Sequence, residues 1–140
     1  MLFEDILNSG LTLRVKVTGK SMATVLQGGE ILTIKKTPSS SLHIGDLIFF
    51  KTRLGFPLLH RIVKKGYEEN LHIFRTKGDA SLSMDEPVRG PEILGKVSSV
   101  EKQLSGGKTI HIDMESFFRR SINYLMVFIS LGRLIISRVF

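Results

Sequence analysis

The chain contains no cysteine. That excludes a disulfide framework, a thiolate nucleophile and any cysteine-ligated zinc or iron–sulfur centre, and it leaves redox compartment unreadable. None of the four histidines stands three or four residues from another, so neither a metal centre nor another cofactor is expected. Acids are in short supply, 13 against 20 lysines and arginines, for a net charge of +7. Such an excess favours an anionic partner, nucleic acid or an acidic membrane surface, and composition does not choose between them. No repeat or low-complexity tract is present. The opening Met1-Leu2-Phe3-Glu4-Asp5-Ile6-Leu7 carries acids where a secretory leader would carry lysines, and no long apolar core follows. It suggests instead a short amphipathic helix, with Leu2, Phe3, Ile6 and Leu7 on one side and Gly10 as its stop.

What remains describes one folded domain of ordinary size: 140 residues, 42% hydrophobic and 24% charged. Leu11, Leu13, Val15 and Val17 alternate with Thr12, Arg14, Lys16 and Thr18, the mark of a strand with one buried face. Further strands are expected at Ile31–Lys35, Asp46–Lys51, Leu58–Lys64, Leu71–Thr76, Ile93–Val100 and Thr109–Ile112. Gln27-Gly28-Gly29, Pro38-Ser39-Ser40-Ser41, Leu54-Gly55-Phe56-Pro57, Lys65-Gly66-Tyr67 and Ser105-Gly106-Gly107 read as the turns between them. Short strands with turns at this spacing predict a mostly β fold, a curled antiparallel domain over residues 1–112 with its core in 11–100.

Residues 113–140 read differently. Between Phe117 and Phe140 large apolar side chains dominate, but Arg133 and Arg138 interrupt them. The uncharged stretch Ser121–Gly132 is twelve residues. At about 1.5 Å per residue it falls short of the roughly 30 Å hydrocarbon core. On a helix, Arg120, Asn123, Ser130, Arg133 and Ser137 share a narrow stripe, leaving a wide apolar face. That pattern predicts a helix lying in a membrane interface, with Arg119 and Arg120 drawn to anionic head groups. Packing on its own sheet, or on a second copy, is the alternative.

Three residues in chain order suggest nucleophilic chemistry. Ser21 lies in Gly19-Lys20-Ser21-Met22, His60 in Leu58-Leu59-His60-Arg61-Ile62-Val63, and acids follow between Asp79 and Asp85. A serine hydroxyl needs a neighbouring base to take its proton, and a neutral imidazole can do so near pH 7. A carboxylate that holds the imidazole completes such a set. A loop serine or a core histidine is the plainer reading of each residue alone. His43, His72 and His111 read as surface or structural residues.

The flanking blocks, in order, are Gly19-Lys20-Ser21-Met22, Gly29-Glu30, Gly45-Asp46-Leu47-Ile48-Phe49-Phe50, His60-Arg61-Ile62-Val63, Thr76-Lys77-Gly78-Asp79 and Gly95-Lys96-Val97. Across roughly residues 11–100 they resemble the signal peptidase I family, within the wider group of serine peptidases that includes the self-cleaving repressors of the SOS response. Most bacterial members place a lysine where this chain has His60, so the chain looks like the histidine branch of the endoplasmic reticulum and archaea. The resemblance implies a serine endopeptidase with Ser21 as nucleophile, His60 as base and Asp85, six residues beyond Asp79, as the acid that orients it. Asp79 would be structural, paired with Arg61, Lys77 or a loop amide; the alternative exchanges the two acids. The backbone N–H of Ser21 would hold the oxyanion, Gly19 would line the turn, and Met22 would pack.

The implied substrate is an extended peptide of a preprotein or membrane-tethered protein, with the C-terminal helix giving peripheral or C-terminal membrane association. Two features depart from the family pattern. No membrane-spanning helix precedes Ser21, and Ala23-Thr24-Val25-Leu26 replaces the usual proline and threonine. A non-catalytic membrane-associated binding module on the same fold is therefore one alternative. A self-cleaving regulator is another, though no helix-turn-helix is present and nucleic acid is not an expected partner.

Overall fold

The structure is a computed structural model that describes residues 2–19, 22, 26 and 28–139, apart from the side chains of 117, 118 and 136–139. The alternating segments form eight strands: β1 (Leu13–Lys16), β2 (Ile31–Lys35), β3 (Leu47–Lys51), β4 (Pro57–Glu68), β5 (Leu71–Lys77), β6 (Val88–Arg89), β7 (Ile93–Gln103) and β8 (Thr109–Asp113). Helices α1 (Leu2–Asn8) and α2 (Phe117–Val139) flank them. The expected mostly β architecture, with a short N-terminal and a C-terminal helix, is what the chain adopts. The strands join in the order β1-β2-β7-β3-β4-β5-β6, and every ladder is antiparallel. β3 pairs with the start of β7 and β8 with its end, while β2 pairs along β7 on the opposite edge. Register shifts at Thr33/Ile34, Phe49/Phe50 and Ile62/Lys64 bend the strands and curl the sheet.

β3 explains how the curl is filled. Its run Leu47-Ile48-Phe49-Phe50 is buried on both faces. Leu47 and Phe49 join one cluster with Leu7, Leu32, Ile34, Val97 and Met114. Ile48 and Phe50 join a second with Leu42, Ile62, Phe74 and Val88. A strand covered on both sides is apolar throughout, and that is why its sequence does not alternate. α1 covers the first cluster through Leu7 and Phe3, whereas Leu2, expected on the same side, is exposed. Gly10 follows the helix with φ +86°, as a stop residue should.

One expected turn is corrected. Lys65-Gly66-Tyr67 lies inside β4, paired with Ile73, His72 and their neighbours on β5. The reversal occurs at Glu69-Asn70, both at positive φ (50° and 62°), the two-residue hairpin geometry that matches strand twist.

α2 begins just past β8, with Ser116 capping it: the Arg119 N–H donates to Ser116 Oγ. The helix packs on β4. Its buried residues among those described are Asn123, Val127, Ser130 and Leu134, so the inward stripe includes two polar side chains. Gly45, at φ +100°, is where this packing is closest, since a Cβ there would lie 2.9 Å from the Asn123 carbonyl carbon and oxygen. Gly45→Ala should therefore cost about 2–4 kcal/mol, combining left-handed backbone strain with overpacking against a helix backbone that cannot yield. Urea unfolding checks this; a loss below about 0.5 kcal/mol, the usual size for a surface substitution, would contradict the close packing.

Candidate functional site

β4 and β5 present two faces, and the ladder register sorts the polar residues between them. Arg61 stands opposite Lys77, and Ile62 opposite Thr76. Opposed residues share a face, so Arg61 and Lys77 lie on one side of the ladder and His60, Ile62 and Thr76 on the other.

On the His60 face, the imidazole is 4% exposed and packs edge-on to the Phe50 ring at 6.3 Å. Its Nδ1 is hydrogen-bonded to Asp85 Oδ2. A carboxylate accepts, so Nδ1 carries the proton and Nε2 is the nitrogen whose lone pair can take one up. Asp85 is itself held at several points. Thr76 Oγ1 donates to the same Oδ2 at 2.7 Å, the Asp85 N–H donates to the Thr76 carbonyl at 2.9 Å, and Arg75 Nε donates to the Asp85 carbonyl at 3.2 Å. A half-buried acid so restrained can fix both the tautomer and the plane of the imidazole.

On the other face, Arg61 and Asp79 form a fully buried two-point ion pair. Arg61 Nε donates to Asp79 Oδ1 at 2.9 Å and Nη2 to Oδ2 at 2.8 Å, while Nη1 donates to the Gly45 carbonyl at 2.8 Å. The Asp79 N–H in turn donates to Met22 Sδ at 3.2 Å. Lys77 Nζ donates to the Gly78 carbonyl at 3.0 Å and to Ser130 Oγ of α2 at 2.9 Å. Burial lowers the Lys77 pKa from its ordinary 10.5, and nearby Arg133 adds to this, while Asp79 and Asp85 pull it upward. Burial also lowers that of Arg119, with the Arg61 charge contributing.

Two recesses flank the start of β4. A groove of about 570 Å³ is lined by Leu13–Thr18, Gly19, Met22, Leu26, Phe49 and Pro57–Leu59, among others. A smaller one, of about 240 Å³, is lined by Asp85, Glu86, Phe50, Leu58 and the Lys51–Phe56 hairpin. The wall of the larger groove includes β1, an edge strand paired only with β2 among the described residues.

The sequence-predicted residues are thus partly assembled. His60 and Asp85 touch. Asp79 takes Arg61 rather than Lys77, and Met22 packs as expected while also accepting from the Asp79 N–H. Gly19 lines the groove, where a Cβ would meet no described atom. Lys77 faces α2 rather than His60. Ser21 lies outside the described residues. Asp46 accepts from the His43 N–H at 2.8 Å, as a turn residue should, and approaches Lys96 at 3.6 Å. Sequence reasoning missed Thr76, whose signal was present: it sits at the same face parity as His60, one step ahead of the Lys-Gly-Asp block.

No family model, no curated protein and no solved structure matches the chain.

Proposed function

We propose that this chain is a serine endopeptidase resembling signal peptidase I, of the branch with a histidine base. Ser21 attacks the carbonyl of an extended peptide, His60 Nε2 takes its proton and returns it to the leaving amine, and Asp85 holds the imidazole. The observation that carries this reading is the contact of buried His60 with half-buried Asp85, with the acid fixed in turn by Thr76. Supporting it, Met22, bonded directly to Ser21 in the chain, contacts the backbone of Asp79, whose carboxylate grips the residue next to His60. The edge of β1, unpaired among the described residues and beside the apolar groove, suits a substrate bound as an added strand, with small or apolar side chains entering alternate positions. The substrate class, a preprotein or membrane-tethered protein, follows from the resemblance.

The pH profile of kcat/KM tests the base. An imidazole base works at neutral pH, whereas a lysine base with an ordinary ammonium works only in the alkaline range. Activity that rises only in the alkaline range would point instead to a lysine of ordinary basicity, Lys51 or Lys64.

A further inference from the structure

The orientation of α2 is the reverse of what intramolecular burial favours. A helix on a water-soluble domain ordinarily turns its apolar stripe to the core and its polar stripe to solvent. Here Asn123 and Ser130 are buried at 2% and 1% exposure, and the Asn123 side-chain oxygen Oδ1 has no hydrogen-bond partner among the described residues. Tyr124, Leu125, Phe128, Ile129 and Ile135 are 46–62% exposed. These five fall at one- and three-to-six-residue steps that keep them on a single outward face. Tyr124 and Phe128 pack edge to face upon it at 5.5 Å. The middle of the polar stripe, Asn123 and Ser130, thus meets the protein, while Arg120 and Arg133 stay exposed beside the apolar face.

We propose that this outward face of α2 docks on an anionic lipid surface. Charge selects that occupant. From Phe117 to Phe140 the chain has Arg119, Arg120, Arg133 and Arg138 and no acid, within a protein of net charge +7. Arg120 and Arg133 are exposed, where they can reach phosphate head groups beside a face sunk among the acyl chains. A second copy of the same helix would set arginine against arginine. No described helix is long and apolar enough to cross a membrane, so the helix lies along the surface rather than through it. Because Lys77 and Gly45 tie α2 to the sheet, the lipid plane would be fixed relative to β4 and β5. The inference does not depend on catalysis by Ser21.

Vesicle co-sedimentation of the intact protein tests it, using phosphatidylcholine alone and phosphatidylcholine with 30% phosphatidylglycerol (about a third anionic, as in the charged leaflets to which basic segments bind). The wild type should sediment with the mixed vesicles and far less with the neutral ones. Leu125→Gln/Phe128→Gln/Ile135→Gln, all outward and exposed, should abolish binding while leaving the thermal unfolding curve in place. Arg120→Gln/Arg133→Gln should weaken it about thirtyfold, the effect of two head-group contacts. Three results would overturn the proposal: failure of the wild type to bind the mixed vesicles, binding unchanged in the triple variant, or a stable dimer that buries this face and ignores vesicles.

Discussion

Asp85→Asn should lower the cleavage rate about 10⁴-fold without unfolding the protein. The asparagine fits the space, and with its amide nitrogen in the Oδ2 position it donates to His60 Nδ1 and to Thr76 Oγ1, which share that atom. The imidazole would then accept at Nδ1 and carry its proton on Nε2, the wrong tautomer for a base. Thr76→Val should act in the same direction and more weakly, since Asp85 keeps its backbone bonds to Thr76 and Arg75. The checks are kcat on a cleaved peptide and the exchange-protected Nδ1 proton in the NMR spectrum, which reports the His60–Asp85 bond independently of turnover. Full activity in Asp85→Asn would return the orienting role to Asp79.

Asp79→Ala should be the most destabilising single change in the molecule, costing about 3–5 kcal/mol. It leaves the Arg61 guanidinium, with no solvent exposure, only the Gly45 carbonyl as a hydrogen-bond partner among the described residues. It also frees the backbone turn that meets Met22. A buried charge without its partner is far costlier than a lost surface pair. Arg61→Lys should also destabilise, because one ammonium cannot reach both carboxylate oxygens and the Gly45 carbonyl in the same plane. Urea midpoints at constant m-value measure both. A shift below about 1 kcal/mol for Asp79→Ala, the range of exposed ion pairs, would contradict the structural role given to it.

These two acids show what was legible beforehand. The blocks placed Asp79 and Asp85 near His60 but left their roles exchangeable, because spacing says nothing about which carboxylate points through which face of a ladder. The Arg61↔Lys77 register settles their contacts: the buried guanidinium takes Asp79, and His60, on the opposite face, takes Asp85. Strands with one wet face were readable from alternation, as in Leu13-Arg14-Val15-Lys16. β6 was not, since Val88-Arg89 is too short for any period and exists by pairing with Ile73-Phe74. The far end of β4 was also hidden. Around Gly66 and Tyr67 both faces of the hairpin arm are wet, so no hydrophobic pattern set the register there.

α2 taught the opposite lesson. Its two stripes were plain in the sequence, but periodicity gives the angle between faces and not which one the protein keeps. That choice came from long-range chemistry: Lys77 needs an acceptor, Ser130 supplies one, and Gly45 leaves room for the Asn123 backbone. The alternative reading of the pattern, packing of the apolar face on the chain's own sheet, would have buried Phe128 and Leu125, which are exposed.

The proposed function stands or falls on peptide-bond hydrolysis through Ser21. The most direct measurement is a digest of a diverse peptide library, read by mass spectrometry in ¹⁸O-labelled water, comparing the intact protein with Ser21→Ala at equal concentration. New C-termini bearing ¹⁸O should form with the wild type, their appearance slowed by three or more orders of magnitude in Ser21→Ala, with the same thermal unfolding curve for both proteins. Equal cleavage by the two proteins, or none by the wild type across the library, would contradict it.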